Sequence, residues 1–133
     1  MEIRELGVDT STRKVIDLTE DIRSFCNGRA DGLLNVFVPH STAGLAIMEL
    51  GSRSDKDLER VLDRLLPRDA GYEHAHGSPG HGADHLLPAF LAPSLTIPVT
   101  AGRPMLGVWQ SVVLVDLNVD NPERRVQLSF LPG

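Results

Sequence analysis

Most of the chain shows the short apolar runs and two-residue alternation that predict β-strands. The first two runs are separated only by Asp9-Thr10-Ser11, which predicts a hairpin between them. The predicted strands are residues 2–8, 12–18, 33–38, 45–50, 94–99, 105–117 and 124–131. This pattern predicts a domain dominated by a mixed, mostly antiparallel sheet.

Two helices are predicted from capping residues and helical periodicity. Thr19 resembles an N-cap, and Gly28 is placed to end a short helix after it. The clearest helix runs from Ser54 to Leu66, because its apolar residues recur every three or four positions and form one stripe. Pro67 ends this helix, since a proline cannot continue the helical hydrogen-bond ladder.

A third helix is predicted to start at Asp84, with that residue as its N-cap. In this placement Pro88 loses only the first helical hydrogen bond, whereas a proline deeper in a helix would kink it. The prediction puts His85 at the first helical position and leaves His81 in the preceding loop. Four histidines lie within residues 74–85, and long loops of this kind are often functional.

Together these elements predict one α+β domain over residues 1–133, with two or three helices packed on the sheet. A length of 133 residues suits a single domain. The hydrophobic fraction of 41% is enough to build a folded core.

Charge and composition exclude several classes of function. The net charge is −5 and no dense cluster of Lys or Arg is present, which argues against a nucleic-acid or membrane partner. No apolar run approaches the ~20 residues that a membrane helix needs. Cys26 is the only cysteine, so an internal disulfide and a Cys-rich zinc site are excluded. These features predict a cytoplasmic protein.

A polar turn, Pro39-His40-Ser41-Thr42, follows the predicted strand 33–38. It places an imidazole and two hydroxyls at the mouth of two buried strands, where sites are often built. The alternative is that the hydroxyls only satisfy local backbone groups. Glu49 closes the next strand, where burying an unpaired charge is costly. We therefore expect Glu49 to have a partner, and we interpret it as an orienting or catalytic carboxylate.

Metal binding is the first chemistry that the histidines suggest. Three imidazoles with an open fourth position form a typical catalytic zinc site, and imidazole also suits nickel, iron and copper. We predict that His40, His81 and His85 form such a site if the loop folds back onto the polar turn. His81 and His85 have the i, i+4 spacing of a helical pair, although a helix starting at Asp84 would remove that geometry. A surface loop merely rich in histidine is the alternative, and we favour it for His76.

Two further groups are candidates for ligand contact. Gln110 is a polar amide inside the predicted strand 105–117, where it could hydrogen-bond a ligand beside Trp109. An anion could be held by hydroxyls and an arginine fork, which matches phosphate geometry. The candidate anion-binding residues are Ser41, Thr42 and Arg103, or Arg124 in place of Arg103.

Several short motifs occur in an order that resembles the YjbQ-like family of small bacterial and archaeal proteins. The similarity extends over nearly the whole chain. The motifs are NVFVPHSTAG at 35–44, Glu49, PRDAGY at 67–72 with His74, HL at 85–86, PSLTIP at 93–98 and LGVWQ at 106–110.

The resemblance implies an α+β fold with a mixed sheet, a homotrimer with sites near the subunit boundaries, and a histidine-rich pocket for a metal or an anion. Some members of the family have a secondary thiamine-phosphate synthase activity, which joins an aminopyrimidine diphosphate to a thiazole phosphate. His40 and His85 match the family's histidines. The segment 81–83 departs from the family pattern, which leaves the third metal ligand open. Further residues on motif positions are Glu49, Asp69, His74, Trp109 and Gln110.

Two functions are predicted on this basis. As an enzyme, the protein would bind a small phosphorylated metabolite together with a divalent metal ion, Zn²⁺ or Mg²⁺. The residues assigned to its catalysis are His40, Glu49, His85 and Gln110. The alternative is a non-catalytic protein that binds a metal or a phosphorylated metabolite.

Overall fold

Eight strands and three α-helices make up the computed structural model, which describes all residues from 1 to 133. The strands are β1 (Glu2–Asp9), β2 (Val15–Asp17), β3 (Gly32–Phe37), β4 (Ala43–Met48), β5 (Ser94–Thr100), β6 (Arg103–Pro104), β7 (Ser111–Asp116) and β8 (Glu123–Pro132). The helices are α1 (Thr19–Cys26), α2 (Ser54–Leu65) and α3 (His81–Phe90). None of the three helices combines the length and hydrophobicity needed to cross a lipid bilayer.

The strands form two sheets in which every neighbouring pair is antiparallel. The larger sheet has the order β1-β8-β3-β5-β6, and the smaller has the order β2-β7-β4. The predicted α+β class is confirmed, but the predicted hairpin between residues 2–8 and 12–18 is wrong. β1 pairs with β8, and β2 pairs with β7 in the other sheet. The Thr10 amide donates a hydrogen bond to the Pro122 carbonyl, so the intervening turn carries the chain between sheets.

The main hydrophobic core lies between the two sheets and is closed by α1. The larger sheet contributes the inward side chains of β3, β5 and β8, and the smaller sheet contributes those of β4 and β7. From α1 the core receives Ile22, Phe25 and Cys26, each at most 2% exposed. The apolar stripe of α1 therefore packs into the gap between the sheets, as its helical spacing requires.

A second, smaller core lies on the outer side of β7, where α2 and α3 cover the smaller sheet. Val113 and Val115 of β7 face Leu62 of α2 and Leu87 of α3. The alternate residues of β7, including Leu114, face the main core. Because β7 is buried on both sides, its sequence is a continuous apolar run without polar alternation.

The long strand predicted over residues 105–117 is only partly confirmed, because β7 begins at Ser111. Before it, Gly107 and Gln110 close a turn in which the Gln110 amide donates to the Gly107 carbonyl. Val108 and Trp109 project from this turn and are 87% and 73% exposed. An apolar run on an exposed turn was therefore misread as part of the neighbouring strand.

Helix α3 begins at His81, three residues before the predicted N-cap. Asp84 does not cap the helix: its side chain is 1% exposed and lies inside the first turns. Pro88 consequently lies in the helix interior, where it lacks the N–H that would donate to the Asp84 carbonyl. Since α3 ends at Phe90, the lost bond falls close to its C-terminus. Tertiary contacts of the first turn thus outweigh the local cost of the proline.

Candidate metal centre

Three histidines converge at the start of α3, with one ligand nitrogen of each within 4.8 Å of those of the other two. The residues are His74, His81 and His85. His81 and His85 lie one helical turn apart, and their Nε2 atoms approach to 2.9 Å. This is the side-by-side arrangement that positions four apart adopt on one helix face. The earlier start of α3 therefore restores the helical pair that a start at Asp84 would have broken.

His74 reaches the helical pair from the loop that joins α2 to α3. The loop is fixed at its beginning, where the Tyr72 hydroxyl donates to the Pro67 carbonyl at 2.6 Å. It is fixed again near its end, where the Ser78 hydroxyl donates to the Asp120 carboxylate at 2.9 Å. Between these two anchors the loop crosses the N-terminal end of α3 and brings the imidazole of His74 to within 4.3 Å of the His85 ring, measured between centroids.

His76 is a fourth imidazole at the edge of this group. Its ring centroid lies 4.3 Å from that of His74 and 4.7 Å from that of His81. It is farther from His85, at 6.5 Å, and is exposed to solvent. His76 therefore lies next to the three-histidine site but is not one of the residues whose ligand nitrogens lie close to one another.

Burial and the neighbouring imidazoles favour the neutral forms of His74 and His85. Burial lowers the pKa of His85, and the neighbouring His74, His81 and His76 lower it further, since adjacent positive charges repel. The pKa of His74 is lowered in the same direction by burial and by His76 and His81. Neutral imidazole is the form that binds a metal ion, so the lowered pKa values of His74 and His85 favour metal binding by these two residues near neutral pH.

The site borders an open hollow of about 320 Å³. The hollow is formed mainly by the α2–α3 loop, and its wall includes Arg68, Asp69 and Ser78 as well as His74 and His76. A small molecule could occupy this volume while contacting the histidines. The hollow leaves room for a ligand beside the histidines.

A carboxylate holds the outer side of His81. Oδ2 of Asp120 lies 3.0 Å from Nδ1 of His81, on the side of the ring away from His85. Hydrogen bonds from Ser78 lower the pKa of Asp120 most, and those with His81 and Asn118 add to the effect. A charged carboxylate accepts from a histidine N–H, which is the arrangement found behind many metal-binding histidines.

The first turn of α3 is fixed by a partly buried ion pair. Asp84 accepts hydrogen bonds from both terminal nitrogens of Arg68, at 2.8 and 3.0 Å. The Asp84 side chain is fully buried and that of Arg68 is 34% exposed. The hydrogen bonds that Arg68 donates to Asp84 raise the pKa of Arg68, so the guanidinium stays charged. Arg68 is therefore committed to Asp84 and does not offer a free fork to a ligand.

The donor set itself indicates which metals fit. Three imidazole nitrogens suit zinc, nickel, copper or iron, and three protein ligands with one open position are typical of catalytic zinc. Magnesium requires oxygen ligands in an octahedral arrangement. The residues present therefore fit a zinc-like ion and fit magnesium poorly.

His40, which the sequence placed with the metal ligands, is not part of the three-histidine group. Its Nε2 accepts a hydrogen bond from the backbone amide of Arg125 at 2.9 Å. β3 pairs with β8 only as far as Phe37, opposite Gln127, so the imidazole supplies the acceptor that the departing strand no longer provides. The third histidine of the group is His74.

The polar turn around His40 is built into a buried ion-pair network. The Thr42 hydroxyl accepts from Arg124 at 2.7 Å, while Arg124 also donates two hydrogen bonds to Asp116. Ser41 is exposed beside them. For Thr42 the structure therefore shows a role in satisfying a buried arginine. Its predicted role in anion binding stays a prediction, as does that of Ser41.

The other predicted site residues lie on the surface without the expected surroundings. Glu49 is exposed and has no ion-pair partner, so the expectation of a buried partner is wrong, because β4 ends before it at Met48. The Gln110 Oε1 accepts from the Gly107 amide at 2.7 Å within an exposed turn. Arg103 lies on the short β6, in a hollow formed with α1. The catalytic roles of Glu49 and Gln110 and the anion-binding role of Arg103 stay predictions.

Two residues of the site were missed by sequence reasoning. His74 stood on a family motif position, but nothing in the spacing between 74 and 81 showed that the loop would turn back. Asp120 lies in the β7–β8 connection, 39 positions from His81. Only the pairing of β7 in the smaller sheet, which places this connection beside α3, brings Asp120 to the histidines.

Comparison with known proteins identifies the family. A family model described as UPF0047 protein YjbQ-like matches residues 4–133. The chain belongs to the YjbQ-like UPF0047 family. Similar UPF0047 proteins occur in Mycobacterium tuberculosis, 63% identical over 133 residues and 100% of both chains, and in Methanothermobacter thermautotrophicus, 38% identical over 131 residues, 95% of this chain and 89% of that protein. The resemblance read from the motifs is confirmed.

Solved structures of other proteins have the same fold. A hypothetical protein from Aeropyrum pernix is 32% identical, with a TM-score of 0.89 and 100% of each chain covered. A protein of unknown function from Sulfolobus solfataricus has a TM-score of 0.91 at 23% identity, covering 99% of this chain and 97% of that one. These structural similarities establish the fold, and the family model and the related proteins establish the family, whose function is unknown.

Proposed function

We propose that this YjbQ-like protein binds a zinc-class divalent ion through His74, His81 and His85 and uses the loaded site to act on a small phosphorylated metabolite. The observation that supports this most is the common approach of the three ligand nitrogens within 4.8 Å. The adjoining hollow of about 320 Å³ supports a small-molecule ligand. A bound ion would supply positive charge and Lewis acidity to an oxygen of that ligand.

The chain's own residues prepare this site in three ways. The Arg68–Asp84 ion pair holds the first turn of α3, so that His81 and His85 share one face. Asp120 fixes the ring of His81 from its outer side. The exposed side chains at the wall of the hollow, including His76, are left to contact the ligand. Binding and orientation are the contributions that these residues can make.

The specific reaction to test is thiamine-phosphate formation. In it the thiazole nitrogen bonds to the methylene carbon of the aminopyrimidine, and the bond from that carbon to the diphosphate breaks, which releases pyrophosphate. The site would assist by stabilising the leaving group. Arg68 is already paired with Asp84, so the hollow of one chain offers the diphosphate imidazoles rather than a free arginine. Because a diphosphate carries more charge than the hollow can neutralise without a free arginine, the site is better suited to a monophosphate ligand.

A non-catalytic metal-binding protein is the second candidate. The pairing of Arg68 with Asp84 favours this function, because the hollow of a single chain then has no free arginine to bind a transferred phosphate. In that case the three histidines would hold the ion without turnover. The two functions share the metal site and differ only in whether a substrate is converted.

We further propose that the chain works as a homotrimer, as the family resemblance implies. The outer face of the larger sheet is not covered by any helix, and Leu33, Phe37 and Leu131 are 44%, 39% and 54% exposed on it. Light scattering on a sizing column tests this directly. A mass three times that of the 14.5 kDa chain is expected, and a monomer would contradict it.

The function is tested with protein purified without a histidine tag. Zinc affinity is measured by competition with a chromophoric chelator for the wild type, His85→Ala and His76→Ala. We expect one zinc per chain, loss of binding in His85→Ala and a small effect in His76→Ala.

The zinc-loaded protein is then incubated with both thiamine precursors. Thiamine phosphate above the His85→Ala background supports the transferase, and zinc binding without product supports the metal-binding alternative.

A further inference from the structure

The connection between β7 and β8 contains two polar residues that lie beside the three-histidine site. Asn118 and Asp120 lie two and four residues after the end of β7 at Asp116, and Asn118 is only 6% exposed. A buried amide at this position needs partners for both ends of its side chain. All of its partners belong to the surroundings of the three-histidine site.

The oxygen end of Asn118 shapes its own loop. Oδ1 accepts hydrogen bonds from the backbone amides of Asp120 at 2.9 Å and Asn121 at 3.3 Å. Because backbone amides can only donate, these contacts fix the orientation of the side-chain amide. The Asp120 carboxylate is thereby held at the place where it meets His81.

The nitrogen end of Asn118 contacts helix α3. Nδ2 donates to Oδ2 of Asp84 at 2.9 Å and lies 3.4 Å from Nδ1 of His81. One buried side chain therefore joins the loop that carries Asp120 to the helix that carries His81 and His85. The distance between the carboxylate and the ligand ring depends on this link.

The Asp120 contact determines which nitrogen of His81 carries the proton. A charged carboxylate only accepts, so the hydrogen bond of 3.0 Å requires a proton on Nδ1 of His81. Nδ2 of Asn118 lies farther from this nitrogen, at 3.4 Å, and donates to Asp84 at 2.9 Å instead. In a neutral imidazole the lone pair is then on Nε2. That nitrogen is the one directed at Nε2 of His85, 2.9 Å away.

We propose that Asn118 and Asp120 act as a positioning pair for His81, selecting its Nδ1–H tautomer and directing the Nε2 lone pair into the three-histidine site. Asp120 acts on the ring directly, and Asn118 acts through Asp120 and Asp84. The metal-binding consequence rests on the proposed function, whereas the tautomer of His81 is a property of the metal-free protein. An experiment can therefore refute metal binding without refuting the effect of Asp120 on the His81 tautomer, and the reverse.

The tautomer is measured in metal-free protein by long-range ¹H–¹⁵N correlation of the histidine rings, with the His81 signals assigned from their loss in His81→Gln. The variants are Asp120→Ala, Asn118→Ala and the control Asp69→Ala. Asp69 is a carboxylate on the wall of the same hollow that is exposed and outside the ligand group. The backbone spectrum of each variant establishes that it is folded.

We expect an Nδ1–H tautomer for His81 in the wild type and in Asp69→Ala, and a mixture of tautomers in Asp120→Ala. Zinc affinity should fall about 10- to 100-fold in Asp120→Ala, the usual effect of removing a carboxylate behind a metal-binding histidine. A smaller fall in zinc affinity is expected in Asn118→Ala. Asn118→Gln should not restore the affinity, because its extra methylene group displaces the amide from the same partners.

A proton on Nε2 of His81 in the metal-free wild type would overturn the inference. Unchanged zinc affinity in both Asp120→Ala and Asn118→Ala would overturn it as well. If the wild type binds no zinc, the proposed function fails, and the inference is then decided by whether the His81 tautomer depends on Asp120.

Discussion

Gly82 of α3 lies directly against the backbone carbonyl of His74, which leaves no room for a side chain. A Cβ atom at position 82 would come within 2.4 Å of that carbonyl oxygen and 2.8 Å of the Cβ of Tyr72. Both neighbours belong to the loop that delivers the third histidine. The close approach of loop and helix therefore depends on a glycine one residue after His81.

Substitution of this glycine is expected to displace His74. Gly82→Ala should lower the free energy of unfolding by about 1–3 kcal/mol, since the backbone carbonyl must move to accept the methyl group. Zinc affinity should fall at least tenfold because one ligand shifts. Urea denaturation in EDTA and a chelator competition measure the two effects. The control is Gly7→Ala, where a Cβ would meet nothing within 4 Å; equal effects at both glycines would refute the explanation.

Removal of Arg68 should destabilise the start of α3. Arg68→Ala leaves the buried carboxylate of Asp84 with Asn118 as its remaining partner. Breaking a fully buried ion pair from one side costs about 3–5 kcal/mol. We expect about 1–3 kcal/mol here, because Arg68 is 34% exposed and the Asn118 amide still donates to Asp84. Chemical denaturation provides the measurement. Arg64→Ala, an exposed arginine at the end of α2, should cost little, and a loss as large as that of Arg68→Ala would contradict the account.

His40 should make stability depend on pH. Burial lowers its pKa, and Arg124 and Arg125 lower it further, so the unfolded chain binds a proton to this residue more readily than the folded chain does. Stability must then rise with pH up to about 6.5, the value in unfolded chains, and level off above it.

The comparison with His40→Gln isolates this contribution. Glutamine retains an acceptor for the Arg125 amide but does not titrate, whereas His74 and His85 titrate equally in both proteins. The difference in unfolding free energy between wild type and variant should therefore grow as the pH rises from 5 to about 6.5. A difference that is constant, or that grows as the pH falls, would show that the pKa is not lowered.

Zinc should stabilise the folded chain through the three-histidine site. An ion that binds only the folded state adds about 2.7 kcal/mol at a free concentration 100 times its Kd. The melting temperature of the wild type should rise with zinc and fall back with EDTA. His81→Ala should lose this response, while His76→Ala should keep most of it. An equal response in all three proteins would point to binding elsewhere.

The sequence predicted most elements of the fold because their signals were local. The apolar stripe of α2 and the double-sided apolar run of β7 both follow from short-range patterns. The strand pairing did not, since β1 and β8 are joined by contacts between the two ends of the chain. A turn such as Asp9-Thr10-Ser11 looks the same whether it closes a hairpin or changes sheets.

The site was predicted in part for the same reason. The spacing of His81 and His85 indicated a helical pair, but the rule against an interior Pro88 favoured a later helix start. The helix nevertheless starts at His81, because Asp84 makes buried contacts with Arg68 and Asn118. These long-range contacts cannot be read from the sequence. His40 was grouped with the ligands because it follows a strand, yet its imidazole completes the hydrogen bonding of β8.

The most direct test of the three-histidine site is X-ray absorption at the zinc edge on tag-free protein loaded with one equivalent of zinc. The account predicts a first shell of nitrogen and oxygen at about 2.0–2.1 Å with the multiple-scattering signature of three imidazoles. Two imidazoles should remain in His74→Ala. A shell of oxygen ligands only, or a spectrum unchanged in His74→Ala, would contradict it.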